Sequence, residues 1–237
     1  YNGDLIYTDD KSNILTYKRN IGAVLIYSQS KVDTIYLEKE KKIELNSINF
    51  FKDEIYICTI NGIYVVKNNK IIDHITTKEG LSSNSVQSIY IDKNKNFWCA
   101  TENGLSIYDN DTKRWFVLNT TNGLLNNFIY WVFEDGRNYI WIGTPQGVNK
   151  IIDKDRFLAA IRTSFSELSK YIKEYTTIDG LGNIDCNQNG FLVDSKGRVW
   201  INTVDKINLY LEQFDRSQLI PPKVTLSKIE IDNKELN

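Results

Sequence analysis

The sequence predicts an all-β fold made of a repeated four-stranded antiparallel unit, and three observations predict it. First, a threonine closes a short apolar run four times, at Ile57-Cys58-Thr59, Cys99-Ala100-Thr101, Ile142-Gly143-Thr144 and Ile201-Asn202-Thr203, with steps of 42, 43 and 59 residues. Second, an aromatic residue stands three residues before each of these threonines: Tyr56, Trp98, Trp141 and Trp200. Third, Asp92, Asp135 and Asp194 each precede their threonine by nine residues. A single small sheet cannot bury both its faces, so a unit recurring at this spacing must stack on its neighbours.

The marks divide each unit into strands. Each aspartate opens a turn-like stretch, Asp92–Asn96, Asp135–Asn138 or Asp194–Gly197, rich in the residues that bond their own backbone or accept positive φ. In the earliest copy Asp53 stands only six residues before Thr59, which shortens that turn. A second turn carries glycine at Asn61-Gly62, Asn103-Gly104 and Gln146-Gly147, and Lys206 replaces it in the last copy. The pairs Gly80-Leu81, Gly123-Leu124 and Gly180-Leu181 begin the next copy. One full unit reads as strands over Val86–Asp92, Phe97–Thr101, Leu105–Asp109 and Arg114–Asn119, each short, β-branched or aromatic. Four successive hairpin strands in about 42 residues describe a β-propeller blade rather than a β-solenoid coil. The residue before each threonine, Cys58, Ala100, Gly143 or Asn202, is small, as a tightly packed position requires.

Residues 1–50 read as a weaker copy. Asp4–Thr8 and Asn13–Lys18 resemble the closing strands of one blade, and Ala23–Ser28, Thr34–Glu38 and Lys42–Leu45 a degenerate next one. The sum is about five blades over residues 1–220, an open arc of a ring if closed rings hold four to eight. The long last step reflects an insertion at about residues 154–174. There Phe157, Ile161, Phe165, Leu168 and Ile172 recur at helical spacing, and Asp153 and Asp155 suit the start of a helix. The insertion is expected to be a helix packed outside the ring, or a contact for a partner. Pro221-Pro222 ends the pattern, and residues 221–237 read as a linker and the first strand of a following domain.

Composition sets the limits. The 237 residues carry a net charge of −1, 41% apolar and 12% aromatic residues, enough for a sizeable core. Nucleic acid is not expected as a partner, since phosphate binding needs a concentrated positive field. The absence of methionine and the start within a repeat read as an excised part of a longer protein. Three cysteines without paired spacing suggest neither a disulfide framework nor a metal site. Cys58, Cys99 and the lone His74 read as structural, and no nucleophile–base pair is legible. No catalytic residue, metal ligand or cofactor is predicted.

In a propeller, the loop between blades and the loop between the second and third strands open on one face. Here those loops are rich in amides, which donate and accept hydrogen bonds at once. Asn84, Asn103, Asn127, Gln146, Asn187 and Gln188 are therefore the candidate residues for a hydroxyl-rich or other neutral polar ligand. The alternative is that these amides cap their own turns. The opposite face carries Lys93, Lys95, Arg137 and Lys196 as a solvated surface.

The run Gly80-Leu81-Ser82-Ser83-Asn84-Ser85-Val86, followed by Asp92 and by Phe97–Leu105, resembles the two-component regulator propeller repeat, and Gly123–Val148 repeats it. Gly180–Gly190 resembles the last blade of such propellers, but Ile184 stands where the repeat has Asn. The Pro-Pro pair and Lys223–Leu236 resemble the start of the Ig-like three-Tyr domain that follows them. The resemblance implies an extracytoplasmic, periplasmic or cell-surface sensor domain of a membrane receptor, whose output module is a histidine kinase or similar. It also implies a signal ligand of the oligosaccharide class, contacts with the Ig-like domain and neighbouring blades, and a homodimer. Two rival functions compete with a sensor. A non-catalytic protein-docking propeller would need no small ligand. A polysaccharide lyase or glycosidase would need carboxylates converging on one point, whereas Asp92, Asp135 and Asp194 recur once per blade at a turn.

Overall fold

The computed structural model of the chain describes residues 5–8, 14–18, 22–27, 31–37, 43–215, 230–231 and 234–235. Five antiparallel sheets of three or four strands follow one another over residues 5–210, and a two-stranded one lies at residues 230–235. Blade one holds β1 (Leu5–Thr8), β2 (Ile14–Lys18), β3 (Ala23–Tyr27) and β4 (Val32–Tyr36). Blade two holds β5 (Leu45–Phe51), β6 (Glu54–Thr59), β7 (Gly62–Lys67) and β8 (Lys70–Ile75). Blade three holds β9 (Val86–Ile91), β10 (Phe97–Thr101), β11 (Gly104–Asp109) and β12 (Arg114–Leu118). Blade four holds β13 (Trp131–Glu134), β14 (Ile140–Thr144), β15 (Gly147–Ile151) and β16 (Ile172–Tyr175). Blade five has three strands, β17 (Cys186–Val193), β18 (Val199–Thr203) and β19 (Ile207–Tyr210).

The blades stack so that the core lies between them. Side chains alternate along each strand, so Ile57, Tyr64 and Val66 pack toward blade one while Tyr56, Cys58 and Val65 pack toward blade three. Trp98, Ala100 and Ile107 then face Ile140, Ile142 and Ile151 of blade four. Trp131, Phe133, Trp141 and Val148 face Val199 and Ile201 of blade five. Trp98, Trp141 and Trp200 occupy the same place on the second strand of successive blades, as the repeat predicts. The tight position before the threonine is real in three copies. Cys58 and Ala100 are fully buried, and a Cβ on Gly143 would sit 2.0 Å from the Trp131 ring. In the last copy Asn202 is exposed and that expectation fails, because nothing stacks on that side of blade five among the described residues.

The threonine spacing has a physical cause. Thr59, Thr101 and Thr144 are fully buried, and each Oγ1 donates to the carbonyl three residues on, at 2.8, 2.7 and 2.9 Å. Each also accepts the backbone N–H two residues on, from Asn61, Asn103 and Gln146. The threonine thus closes the turn between the second and third strands from inside. Gly147 in this turn has φ +130°, and a Cβ there would lie 2.4 Å from the Tyr175 carbonyl.

Two expectations need correction. The first 37 residues do not split between two blades, because β1 to β4 form one sheet and Leu45 opens the next. Gly22, at φ +62°, stands just before β3, which pairs with β2 along its whole length. The insertion is not one helix either. Helix α1 spans Lys154–Ile161, capped by Asp153, and a 3-10 segment covers Phe165–Tyr171, capped by Ser164. Ile172 belongs to β16, where it pairs with Ile151. Phe157, Leu158, Ile161 and Leu168 bury against blades three and four, as a packing decoration would. Phe165 stays 40% exposed. The Pro221-Pro222 linker lies outside the described residues. Of the expected next strand only Glu230–Ile231 is described, paired with Lys234–Glu235.

Candidate functional site

The loops expected to share a face are tied together by backbone bonds. Gly62 N–H donates to the Asn84 carbonyl and Gly104 N–H to the Asn127 carbonyl, both at 2.7 Å. Val204 N–H donates to the Asp185 carbonyl at 3.0 Å. Each inter-blade loop therefore sits on the second turn of the preceding or same blade, and the amide residues gather along one rim of the arc.

Their side chains divide into two groups. Asn84 Oδ1 accepts Thr77 N–H at 2.8 Å, and Asn127 Oδ1 accepts Thr120 N–H at 2.9 Å, so both cap the loop that carries them. Asn187 Nδ2 donates to the Thr203 carbonyl at 3.0 Å. Asn103 Nδ2 reaches the Ser82 carbonyl at 3.3 Å yet remains exposed. Gln146 is exposed, and Gln188 is exposed with Nε2 3.3 Å from Gln87 Oε1. Asn103, Gln146 and Gln188 thus offer the more available amides on this rim. Ile184, which replaces the Asn of the third loop, is exposed and caps nothing with its side chain.

The rim contains a polar recess of about 420 Å³ lined by Asn61, His74, Thr76, Thr77, Glu79 and Asn84, with Lys78 at its edge. His74 stacks on Tyr64 with ring centroids 4.1 Å apart, and its Nε2 lies 2.9 Å from the Asn61 carbonyl. Glu79 is fixed by the N–H and hydroxyl of Thr76, both at 2.7 Å, and this hydroxyl bond leads the causes that hold its carboxyl below the usual range. In the sequence His74 carries only a structural signature, and neither Asn61 nor Glu79 is among the candidate amides. The signal available was Asn61-Gly62, which occupies the turn position of Asn103-Gly104 and Gln146-Gly147.

The recurring aspartates are used up in their hairpins. Asp135 accepts the N–H groups of Arg137 and Tyr139 on one oxygen and Trp141 Nε1 on the other, at 3.0 Å. Asp194 repeats the set with Lys196, Arg198 and Trp200 Nε1, again at 3.0 Å. The Trp200 bond leads the causes that hold its carboxyl far below the usual range. Asp92 accepts Asn94 and Asn96 N–H but takes Asn96 Nδ2 and Lys154 Nζ on its second oxygen. Trp98 Nε1 is left buried without a partner. The opposite face is not simply solvated, because Arg137 pairs with Asp135 and with Glu212.

A second polar cluster lies where the last blade ends. Asp215 accepts hydrogen bonds from Lys150 and Lys173 Nζ, at 2.8 and 2.7 Å, and from the hydroxyls of Tyr175 and Tyr210, at 2.8 and 2.7 Å. Burial pushes this carboxyl up, but the four donors overcome it and hold it far below the usual range. Lys150 is buried among the rings of Tyr139, Trp141, Tyr175 and Tyr210, 4.5 to 5.4 Å from their centroids. Burial lowers its pKa, and the Asp215 carboxylate opposes that shift. The segment leaving β19 is thereby fastened to blade four.

Two segments, residues 80–103 and 123–146, match the two component regulator propeller family. No curated protein matches by sequence. Among solved structures the chain is similar to the extracellular domain of a hybrid two component system from B. thetaiotaomicron. That alignment has 18% identity and a TM-score of 0.56, and covers 100% of this chain and 38% of the other. It is similar also to the extracellular domain of a one component system from the same organism, at 16% identity and TM-score 0.65 over 88% of this chain and 26% of the other. A catalytically inactive virginiamycin B lyase from Staphylococcus aureus, solved with quinupristin, matches at 14% identity and TM-score 0.60, over 86% of this chain and 68% of that one. At these identities the similarity establishes the propeller fold, and the chain spans about a quarter to two fifths of the two extracellular domains.

Proposed function

We propose, from the premise that this chain carries repeats of the two component regulator propeller family, that it is part of an extracytoplasmic sensor domain of a membrane receptor. In this reading it binds a neutral, hydroxyl-rich ligand such as an oligosaccharide on its amide rim and passes the change to an output module of the histidine-kinase class. The observation that carries the reading is the rim itself. Asn103 and Gln146 present exposed amides on turns held rigid by buried threonines, and Gln188 presents one from β17, and loops on a rigid scaffold are where binding resides. The recess around Asn61 and His74 adds a donor, an acceptor and a carboxylate on the same rim.

The relay follows from how the blades are joined. Each inter-blade loop bonds to a turn of its neighbour, so a ligand bridging two loops stiffens the blade-to-blade angle. Asp215 couples that angle to the exit segment, because its four donors lie on blades four and five. The recurring carboxylates already serve their hairpins, and the reading is non-catalytic.

Thermal shift of the 237-residue chain against a panel of neutral oligosaccharides tests the reading. A ligand at about one hundred times its Kd stabilises by about 2.7 kcal/mol. At least one member should raise the Tm, and Asn103→Ala with Gln146→Ala should remove the rise. No shift across the panel, or a shift that survives both substitutions, would sink it.

A further inference from the structure

Three successive outer grooves between blades are equivalent by strand register. The wall on the first blade of each pair is formed by Tyr56, Val65 and Asp73, then by Trp98, Ile107 and Phe116, then by Trp141, Lys150 and Lys173. The wall on the second blade is Phe97, Tyr108 and Trp115, then Ile140, Ile151 and Ile172, then Val199 and Tyr210.

The chain fills two of these grooves with its own backbone, and each filler has the charge opposite to its wall. Between blades three and four, α1 and the following 3-10 segment insert Phe157, Leu158, Ile161 and Leu168. Lys154 of that filler meets Asp92 and Glu134, and Arg162 meets Asp109 at 2.6 Å. Between blades four and five, Asp215 meets Lys150 and Lys173. The groove between blades two and three holds no such segment among the described residues. It is a cavity of about 480 Å³ with Phe97, Tyr108 and Trp115 as its floor.

That floor is built as a platform. The rings of Phe97 and Tyr108 lie 5.3 Å apart and those of Tyr108 and Trp115 5.2 Å apart. Gly80 lets Trp115 close on the backbone, since a Cβ there would lie 2.4 Å from the indole. Tyr108 and Trp115 remain half-exposed. Four charges border the cavity: Asp73, Glu79, Lys95 and Lys113. Lys95 is already paired with Glu54, and Lys113 donates to Asn110. Among the described residues neither Asp73 nor Glu79 forms an ion pair, and Lys113, whose partner is a neutral amide, offsets only one of them, which leaves an excess of one carboxylate beside the aromatic floor.

We propose that this groove is a docking site for a segment of a partner polypeptide carrying a Lys or Arg beside an aliphatic or aromatic anchor. The filler of the next groove combines those same features in Lys154, Phe157 and Arg162. An aromatic floor holds an apolar anchor and attracts a cation at its ring faces, and the carboxylates fix the charged end. The groove shares Glu79 with the recess of the amide rim, but Asp73 and Trp115 line only the groove, so substitutions there test it independently of the sensor reading.

Selection of a displayed random short-peptide library on the 237-residue protein tests the proposal, followed by affinity measurement of the recovered peptides. The selected sequences should pair Lys or Arg with Phe, Leu, Ile or Trp. Their Kd should weaken by about tenfold or more in both Trp115→Ala and Asp73→Lys, and not in Gly136→Ala on the far side of blade four. Asp73 is exposed, so Asp73→Lys keeps the test valid if Trp115→Ala fails to fold. Recovery of acidic peptides, recovery of no peptide sensitive to Asp73→Lys, or an oligosaccharide whose binding depends on Trp115 would each overturn it.

Discussion

Replacing each repeat tryptophan by phenylalanine separates packing from hydrogen bonding at one position of the blade. Trp98 and Trp141 are both fully buried on the second strand, so Phe removes a similar volume from each. They differ at Nε1. Trp141 donates to Asp135 at 3.0 Å, whereas Trp98 Nε1 has no partner because Lys154 and Asn96 draw Asp92 aside. A hydrogen bond to a charged group contributes about 1.5–3 kcal/mol. Asp135 keeps its bonds from Arg137 after the change, which favours the lower end. Trp141→Phe should therefore destabilise by about 1.5 kcal/mol more than Trp98→Phe, whose substitution also removes an unsatisfied N–H. Trp141→Ala should cost about 3–5 kcal/mol through the cavity it leaves. Urea unfolding by linear extrapolation measures all three. A difference between the two Phe variants below about 0.5 kcal/mol, or a greater loss at Trp98, would refute the assignment of the aspartate as the tryptophan's partner.

Other consequences are testable in the same preparations. Gly147→Ala meets the Tyr175 carbonyl at positive φ and should lose about 1–3 kcal/mol, while Gly136→Ala, with nothing within 4 Å, should stay within about 0.5 kcal/mol of wild type; equal effects would contradict the turn geometry. Asp215→Asn should destabilise at neutral pH. Because the folded carboxyl lies below its unfolded value, its contribution is present above the unfolded pKa of about 4 and is lost as pH falls below it. The gap between wild type and Asp215→Asn should narrow below about pH 4, and a gap that widens on acidification would show the clamp is not ionic. Burial raises the thiols of Cys58 and Cys186 to about 12 and that of Cys99 well above its ordinary value. A thiol-specific reagent should leave all three unmodified at mildly alkaline pH until urea is added, and fast native labelling would mean the inter-blade cores open.

The middle blades were legible because their punctuation is chemical. Val86, Phe97 and Arg114 start strands in both the sequence reading and the structure, since Gly80, Asp92, Thr101 and Gly104 each fix a turn through a specific bond or φ. Blade one lacks the Trp, and Arg19 stands three residues before Gly22 where the other copies have Thr, so apolar alternation was the main guide, and alternation alone does not say where one sheet ends. The helical spacing through Ile172 identified the buried residues Phe157, Ile161 and Leu168 correctly. It missed the break after Ile161, where Arg162 is drawn to Asp109 and Ser164 starts a new turn. Both causes depend on residues far apart in sequence or on a competing cap.

For the candidate site, the loops were legible and the free amides were not. Asn84 and Asn127 recur at one offset because each caps its loop, so recurrence marked structure there. Gln146 recurs with Asn61 and Asn103 before the turn glycine, but Gln188 and the recess at His74 do not recur, and only the fold brings them to one rim. The Asp215 cluster was invisible for the same reason. Lys150, Lys173, Tyr175 and Tyr210 come from two blades, and no spacing announces them.

Hydrogen–deuterium exchange of the chain, with and without the oligosaccharide that most raises its Tm, tests the central claim that the amide rim takes the ligand. Slowed exchange is expected in residues 82–84, 102–104, 125–127, 145–147 and 182–188, together with a change at residues 211–215 where Asp215 clamps the exit segment. Protection confined to the opposite hairpins, residues 93–96, 136–138 and 195–198, would contradict it, as would a rim protected without any response at residues 211–215.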